Sequence, residues 1–114
     1  MKALYQVKYT GVSGIGFAAF YIGGGQVVGV DPTGAQYHGS YVTEQTHFHG
    51  NKIVGRFTLT ASGGILVTGQ PVEHGTEVLG EFSLPENFAD GSPHTITVGG
   101  APVAVMFEKI GEIL

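Results

Sequence analysis

Apolar and polar side chains alternate with a period of two along most of this chain, and glycine breaks that alternation every few residues. Tyr5, Val7 and Tyr9 alternate with Gln6, Lys8 and Thr10, the pattern of a strand with one buried and one wet face. Ile53, Phe57 and Leu59 alternate with Lys52, Arg56 and Thr58. Val78, Phe82 and Leu84 oppose Glu77, Glu81 and Ser83, and Val103, Val105 and Phe107 close the series. A chain patterned in this way buries one side of a sheet, not the stripe of a helix.

The interruptions carry turn chemistry. Gly23-Gly24-Gly25, Asp31-Pro32-Thr33-Gly34, Gly50-Asn51, Ser62-Gly63-Gly64 and Gly99-Gly100 supply the positive φ, or the fixed proline φ, of tight turns. Gly99-Gly100 separates 95–98 from 102–107 and reads as a two-residue hairpin. Only Pro85-Glu86-Asn87-Phe88-Ala89-Asp90 suggests a turn of helix, as a plug or connector. Sequential short strands joined by tight turns favour an antiparallel up-and-down meander, and about eight strands suffice to close it into a barrel. Gly39, Gly55, Gly69 and Gly80 share parity with Tyr37, Phe57, Val67 and Phe82, where a missing side chain lets a strand coil sharply. The expected fold is a single all-β barrel domain over 1–114 with at most one short helix; a two-sheet sandwich is the alternative. The length of 114 residues fits one core.

Charged residues make up 12% of the chain, about half the usual share of roughly 25%. Low charge leaves less polar surface to cover the outside, which favours burial of apolar surface against a second copy, a homodimer. Lys2, Lys8, Lys52, Arg56 and Lys109 are scattered through a chain of net charge −4, which argues against nucleic-acid binding and against basic attraction to a membrane. With no cysteine there is no disulfide, zinc–thiolate or thiol nucleophile. The opening residues lack the apolar core of a signal peptide, and no stretch approaches the roughly 20 apolar residues of a membrane span. The expected location is cytoplasmic.

One segment departs from alternation. In Ile15-Gly16-Phe17-Ala18-Ala19-Phe20-Tyr21-Ile22 both faces are apolar, so one meets the interior and the other meets something besides water. Phe17 and Tyr21 are read here as inward, and Ile15, Ala18, Phe20 and Ile22 as a surface for a dimer or partner.

Gly14-Ile15-Gly16, then Gly23-Gly24-Gly25-Gln26-Val27-Val28-Gly29-Val30-Asp31, then Tyr37-His38-Gly39-Ser40-Tyr41 resemble the GrlR-like negative regulators of type III secretion. Lys52-Ile53-Val54-Gly55-Arg56-Phe57, Leu66-Val67-Thr68-Gly69, Gly80-Glu81-Phe82-Ser83-Leu84 and Val103-Ala104-Val105-Met106-Phe107 extend the resemblance over most of the chain. It implies a small lipocalin-like barrel that dimerises and binds a protein partner, a transcriptional regulator, without catalysis. Where that family carries an acidic run, this chain has Thr43-Glu44-Gln45-Thr46, so Glu44 is the single acid at that surface.

Chemical motifs are sparse. Gly14-Ile15-Gly16-Phe17-Ala18-Ala19 matches a dinucleotide fingerprint in letters only, since no helix or βαβ unit follows. No cofactor is expected. His47 and His49 would share one side of a strand and are the weak metal pair, without a defined third ligand. Ser13, Ser40, Ser62, Ser83 and Ser92 include no Gly-x-Ser-x-Gly elbow, and Glu73, Glu77 and Glu81 form no catalytic pair. The aromatic residues Phe17, Tyr21, Tyr37, Tyr41 and Phe57 are the ligand-lining candidates. A barrel of this size is either filled by such side chains, the favoured reading, or hollow enough for one small ligand. The leading functional expectation is a regulatory or protein-interaction module; the alternative is a carrier of a small apolar ligand in the barrel.

Overall fold

The computed structural model describes residues 2–46, 48 and 50–113, and among these every regular element is a β-strand. The strands are β1 (Lys2–Gly11), β2 (Gly14–Gly23), β3 (Gln26–Val30), β4 (Gln36–Thr46), β5 (Gly50–Thr60), β6 (Gly64–Ile65), β7 (Pro71–Val72), β8 (Glu77–Pro85), β9 (His94–Val98) and β10 (Ala101–Glu112). Eight of them close an antiparallel barrel in the order β1-β10-β9-β8-β5-β4-β3-β2, while β6 and β7 form a separate two-stranded ribbon. The meander is therefore up-and-down, with one excursion between β5 and β8. No helix among the described residues is long and apolar enough to cross a membrane.

Period-two patterning sets the inward faces. Tyr5 and Val7 of β1, Ile53, Phe57 and Leu59 of β5, Val78, Phe82 and Leu84 of β8, and Val103, Val105 and Phe107 of β10 are all buried. The β2–β3 and β9–β10 connections are two-residue turns in which both residues have positive φ, 59° and 80° at Gly24-Gly25 and 58° and 80° at Gly99-Gly100. That pair of angles matches the twist of the flanking strands. Leu66 to Gly69, expected to continue an inward-facing strand, instead forms the bend of the β6–β7 ribbon, where Gly69 N–H donates to Leu66 C=O at 2.8 Å.

The face assignment on β2 is the reverse of the expectation. Ala18 and Ile22 are 3% exposed and Phe20 packs against the core, whereas Phe17 is 48% exposed and Tyr21 lies on the outer face. Register is the reason. The Val12-Ser13 turn pairs Gly16, Ala18 and Phe20 with Tyr9, Val7 and Tyr5, and directly opposed residues of an antiparallel pair share a face. Apolar surface does lie outside, carried by Leu4, Phe17, Ala19, Tyr21, Val28 and Val30, not by Ala18, Phe20 and Ile22.

The two barrel ends differ. Segment 85–90 contains no helix; its chain turns across the end at which β8 finishes, and Glu86 N–H donates to Asn51 C=O at 3.0 Å. Six residues are too few to repay helix nucleation, and burial of one ring directs the chain instead. Phe88, 1% exposed, packs tilted against Tyr5 at 5.1 Å and edge-on to Phe107 at 4.9 Å between ring centroids and seals this end. The β1–β2 turn, the β3–β4 loop, the β9–β10 turn and the β6–β7 ribbon gather at the other end. Ser13 N–H donates to Val67 C=O at 2.8 Å and holds the ribbon against the β1–β2 turn.

Between the ends, aromatic rings lie flat against inward glycines on neighbouring strands. Tyr9 faces Gly16, Phe20 faces Gly29, Phe57 faces Gly80 and Phe82 faces Gly55, each a directly registered pair. A Cβ on Gly29 would lie 2.7 Å from the Phe20 ring and one on Gly55 2.8 Å from that of Phe82; on Gly80 it would overlap the Phe57 ring. The rings thus line the wall instead of crossing the lumen. Gly80→Ala is expected to cost about 1–3 kcal/mol by overpacking, while Gly111→Ala, whose Cβ meets open space, leaves stability almost unchanged. Urea midpoints of the two variants check this.

Candidate functional site

Because the rings lie on the wall, the barrel encloses a cavity of about 390 Å³ that runs from the ribbon end inward. Phe20, Phe57, Phe82, Leu59, Val103 and Val105 line its apolar body. The expectation of a filled interior holds only for the end sealed by Phe88.

Polar groups converge at the open end around Asp31, where β3 stops. The loop 31–35 is a tight turn: Gly34 N–H donates to Asp31 C=O at 3.0 Å, and Asp31 N–H donates to Ala35 C=O at 3.1 Å. The Asp31 side chain folds over this turn, as Asp commonly does. Its Oδ1 accepts from Thr33 N–H at 2.9 Å, Thr33 Oγ1–H at 2.5 Å and Ala35 N–H at 3.2 Å. Its Oδ2 accepts from Tyr37 Oη–H at 3.0 Å and, more weakly, from Tyr9 Oη–H at 3.4 Å. Ser62, at the root of the ribbon, donates from Oγ to Thr33 Oγ1 at 2.8 Å. Asp31 is 9% exposed, borders the cavity, and has no Lys or Arg ion-pair partner among the described residues.

Burial, reinforced by the neighbouring Tyr9 and Asp31, raises the Tyr37 phenol well above its ordinary pKa of 10.0. Burial also raises Tyr9, partly offset by its contact with Tyr37. Both phenols therefore hold their protons across the physiological range and stay donors to Asp31.

Of the ligand-lining candidates, Tyr37 and Phe57 border the cavity, with ring centroids 5.9 Å apart. Phe17 borders it from an exposed position, as does Ile15. Tyr21 faces outward, and Tyr41 packs against the core without bordering the cavity. Ala18 is buried in the wall, whereas Phe20 and Ile22, expected on the partner surface, line the lumen. Glu44 is exposed on β4 and faces Lys52 across the strand pair at 3.8 Å. His47 and His49 lie outside the described residues. Among those described, no three His, Asp or Glu side chains converge as a metal site.

Sequence reasoning missed Asp31 as a site residue because Pro32 and Gly34 mark it as a turn. Tyr9, which the period-two pattern of β1 turns inward, adds its hydroxyl to the cluster. A second polar group lies at the sealed end, where Asp90 accepts from Ser92 N–H at 3.0 Å and Ser92 Oγ–H at 2.8 Å and meets His94 Nε2 at 3.1 Å. These contacts hold its carboxyl down at about 2. Serine and histidine both address the carboxylate rather than each other, so no base is placed to take the serine proton. Comparison with protein-family models, curated proteins and solved structures returns no match.

The raised Tyr37 pKa fixes the sign of an alkaline response. The unfolded phenol releases its proton first, so stability from this group is fully present below about pH 10 and falls as pH rises further. In a spectrophotometric titration the Tyr37 phenolate is expected to appear only with unfolding. Tyr37→Phe removes that late absorbance and costs about 1 kcal/mol at neutral pH.

Proposed function

We propose that this protein is a non-catalytic binding barrel that holds one small, largely apolar molecule in its lumen. The observation that carries the reading is the cavity of about 390 Å³, which falls in the range of roughly 300–1,000 Å³ typical of small-molecule sites. An apolar body with a few convergent polar groups at one end is the arrangement that orients such a ligand, and the cluster of Asp31, Tyr37, Tyr9 and Thr33 supplies those groups. The ribbon end provides the entrance, since Phe88 seals the other.

The neutral fluorophore N-phenyl-1-naphthylamine tests this directly. Its emission is expected to rise saturably on addition of the protein. Val103→Phe, which places a ring in the lumen, should abolish that rise without unfolding the barrel, as circular dichroism will report. No saturable binding to the unaltered protein rejects the reading.

A second reading has its own support. The resemblance to GrlR-like regulators implies a dimer that captures a protein partner, and the outer face of β1–β3 carries Leu4, Phe17, Val28 and Val30, each more than one third exposed. Contiguous apolar surface of this kind suits an interface. Light scattering at micromolar concentration is expected to give twice the chain mass, and Phe17→Glu to return the monomer. A monomer before substitution contradicts this second reading and leaves the first untouched.

A further inference from the structure

We propose that the ligand of this barrel is an amphiphilic monocation, an ammonium group on a compact apolar or aromatic body, with the ammonium at the Asp31 cluster. The inference rests on the binding-barrel reading above and adds the ligand's charge and polarity.

The hydroxyl protons of the cluster set its polarity. Tyr9 and Tyr37 donate to Asp31 Oδ2, Thr33 donates to Oδ1, and Ser62 donates to Thr33. Thr33 and Tyr37 thus direct their hydroxyl protons to the carboxylate at 2.5 and 3.0 Å, and Tyr9 lies at the longer 3.4 Å. What remains for a ligand are oxygen lone pairs. A carbonyl or carboxylate arriving here competes with Asp31 for the Tyr37 and Thr33 protons, whereas an N–H group meets several acceptors.

Charge points the same way. Asp31 is a carboxylate nine-tenths buried beside an apolar cavity with no cationic partner among the described residues. Five donors keep it fixed in place but leave its negative charge uncompensated. The connections at this end, 12–13, 31–35, 61–63, 66–70, 73–76 and 99–100, contain Asp31 and Glu73 and neither Lys nor Arg. All five cationic side chains lie on the barrel strands instead. An entrance charged in this sense concentrates cations and repels anions.

The wall below completes the match. Phe20 and Phe57 flank Tyr37 at ring-centroid distances of 4.9 and 5.9 Å, so the first surface past the cluster is aromatic. Aromatic faces attract ammonium groups and also accept an apolar body.

Three probes of one skeleton test the proposal: 2-(1-naphthyl)ethylamine, 2-(1-naphthyl)ethanol and 1-naphthylacetate, each competing against N-phenyl-1-naphthylamine. The amine is expected to bind about tenfold or more tighter than the alcohol, as a charged hydrogen bond would give, with the carboxylate weakest. In Asp31→Asn, provided it still binds the neutral fluorophore, the amine and the alcohol are expected to converge. Equal binding of all three, or tightest binding of the carboxylate, overturns the ligand class while the binding barrel stands. A preference for amine that persists in Asp31→Asn overturns the assignment to Asp31. If that variant does not fold, the ranking on the unaltered protein decides the ligand class. Failure of the neutral fluorophore itself to bind removes both the barrel reading and this one.

Discussion

An aromatic ring laid against an inward glycine on the adjacent strand is the contact on which the rest of this barrel depends. At Gly80 a Cβ would collide with the Phe57 ring, and at Gly55 with the Ser40 carbonyl oxygen and the Phe82 ring, so glycine there makes room for the neighbouring strands and their rings rather than for a turn. Each such pair buries a large apolar surface close to the strand that carries it and lets the sheet coil tightly at the same point. The same rings, set on larger neighbours, would tip toward the axis and fill the lumen. Four of these pairs leave the interior open toward the ribbon end, and the Tyr5–Phe88–Phe107 cluster closes the opposite end.

Asp31 is the polar counterpart of that arrangement. It receives hydroxyls from β1 and β4, organises the β3–β4 loop through its own turn, and reaches the root of the ribbon by way of Thr33 and Ser62. A buried carboxylate is costly unless well hydrogen-bonded, and here one charge orients most of the polar groups at the entrance. On the proposed reading, structural and binding roles fall on the same side chain, because the hydroxyls that hold it in place would present their lone pairs to a ligand.

Much of this architecture was legible in the sequence because period-two patterning is local information. β5, β8 and β10 each have one apolar face, and the turns Gly24-Gly25 and Gly99-Gly100 announce themselves by residue type. β2 was harder, since both its faces are apolar and composition cannot say which one turns inward. The deciding signal was the two-residue turn at Val12-Ser13, which propagates the parity of Tyr5, Val7 and Tyr9 across to Ala18 and Phe20. Phe88 looked helical because proline and glycine bracket it, yet its burial depends on Tyr5 and Phe107, which are distant in sequence. The Asp31 cluster was invisible for a related reason: Tyr9, Tyr37 and Ser62 meet there only once the barrel has closed. The cavity was no more visible, because counting inward aromatics does not say whether each ring crosses the lumen or rests on a glycine.

The central claim is that the lumen is open where the rings lie on glycine, and xenon dissolved under pressure tests it most directly, since the gas enters apolar cavities without needing polar contacts. Methyl resonances of Leu59, Val103 and Val105, which line the cavity, are predicted to shift saturably with xenon pressure, while those of Val28 and Val30 on the outer face stay still. Unmoved lumen methyls, or shifts confined to the outer face, would contradict the account.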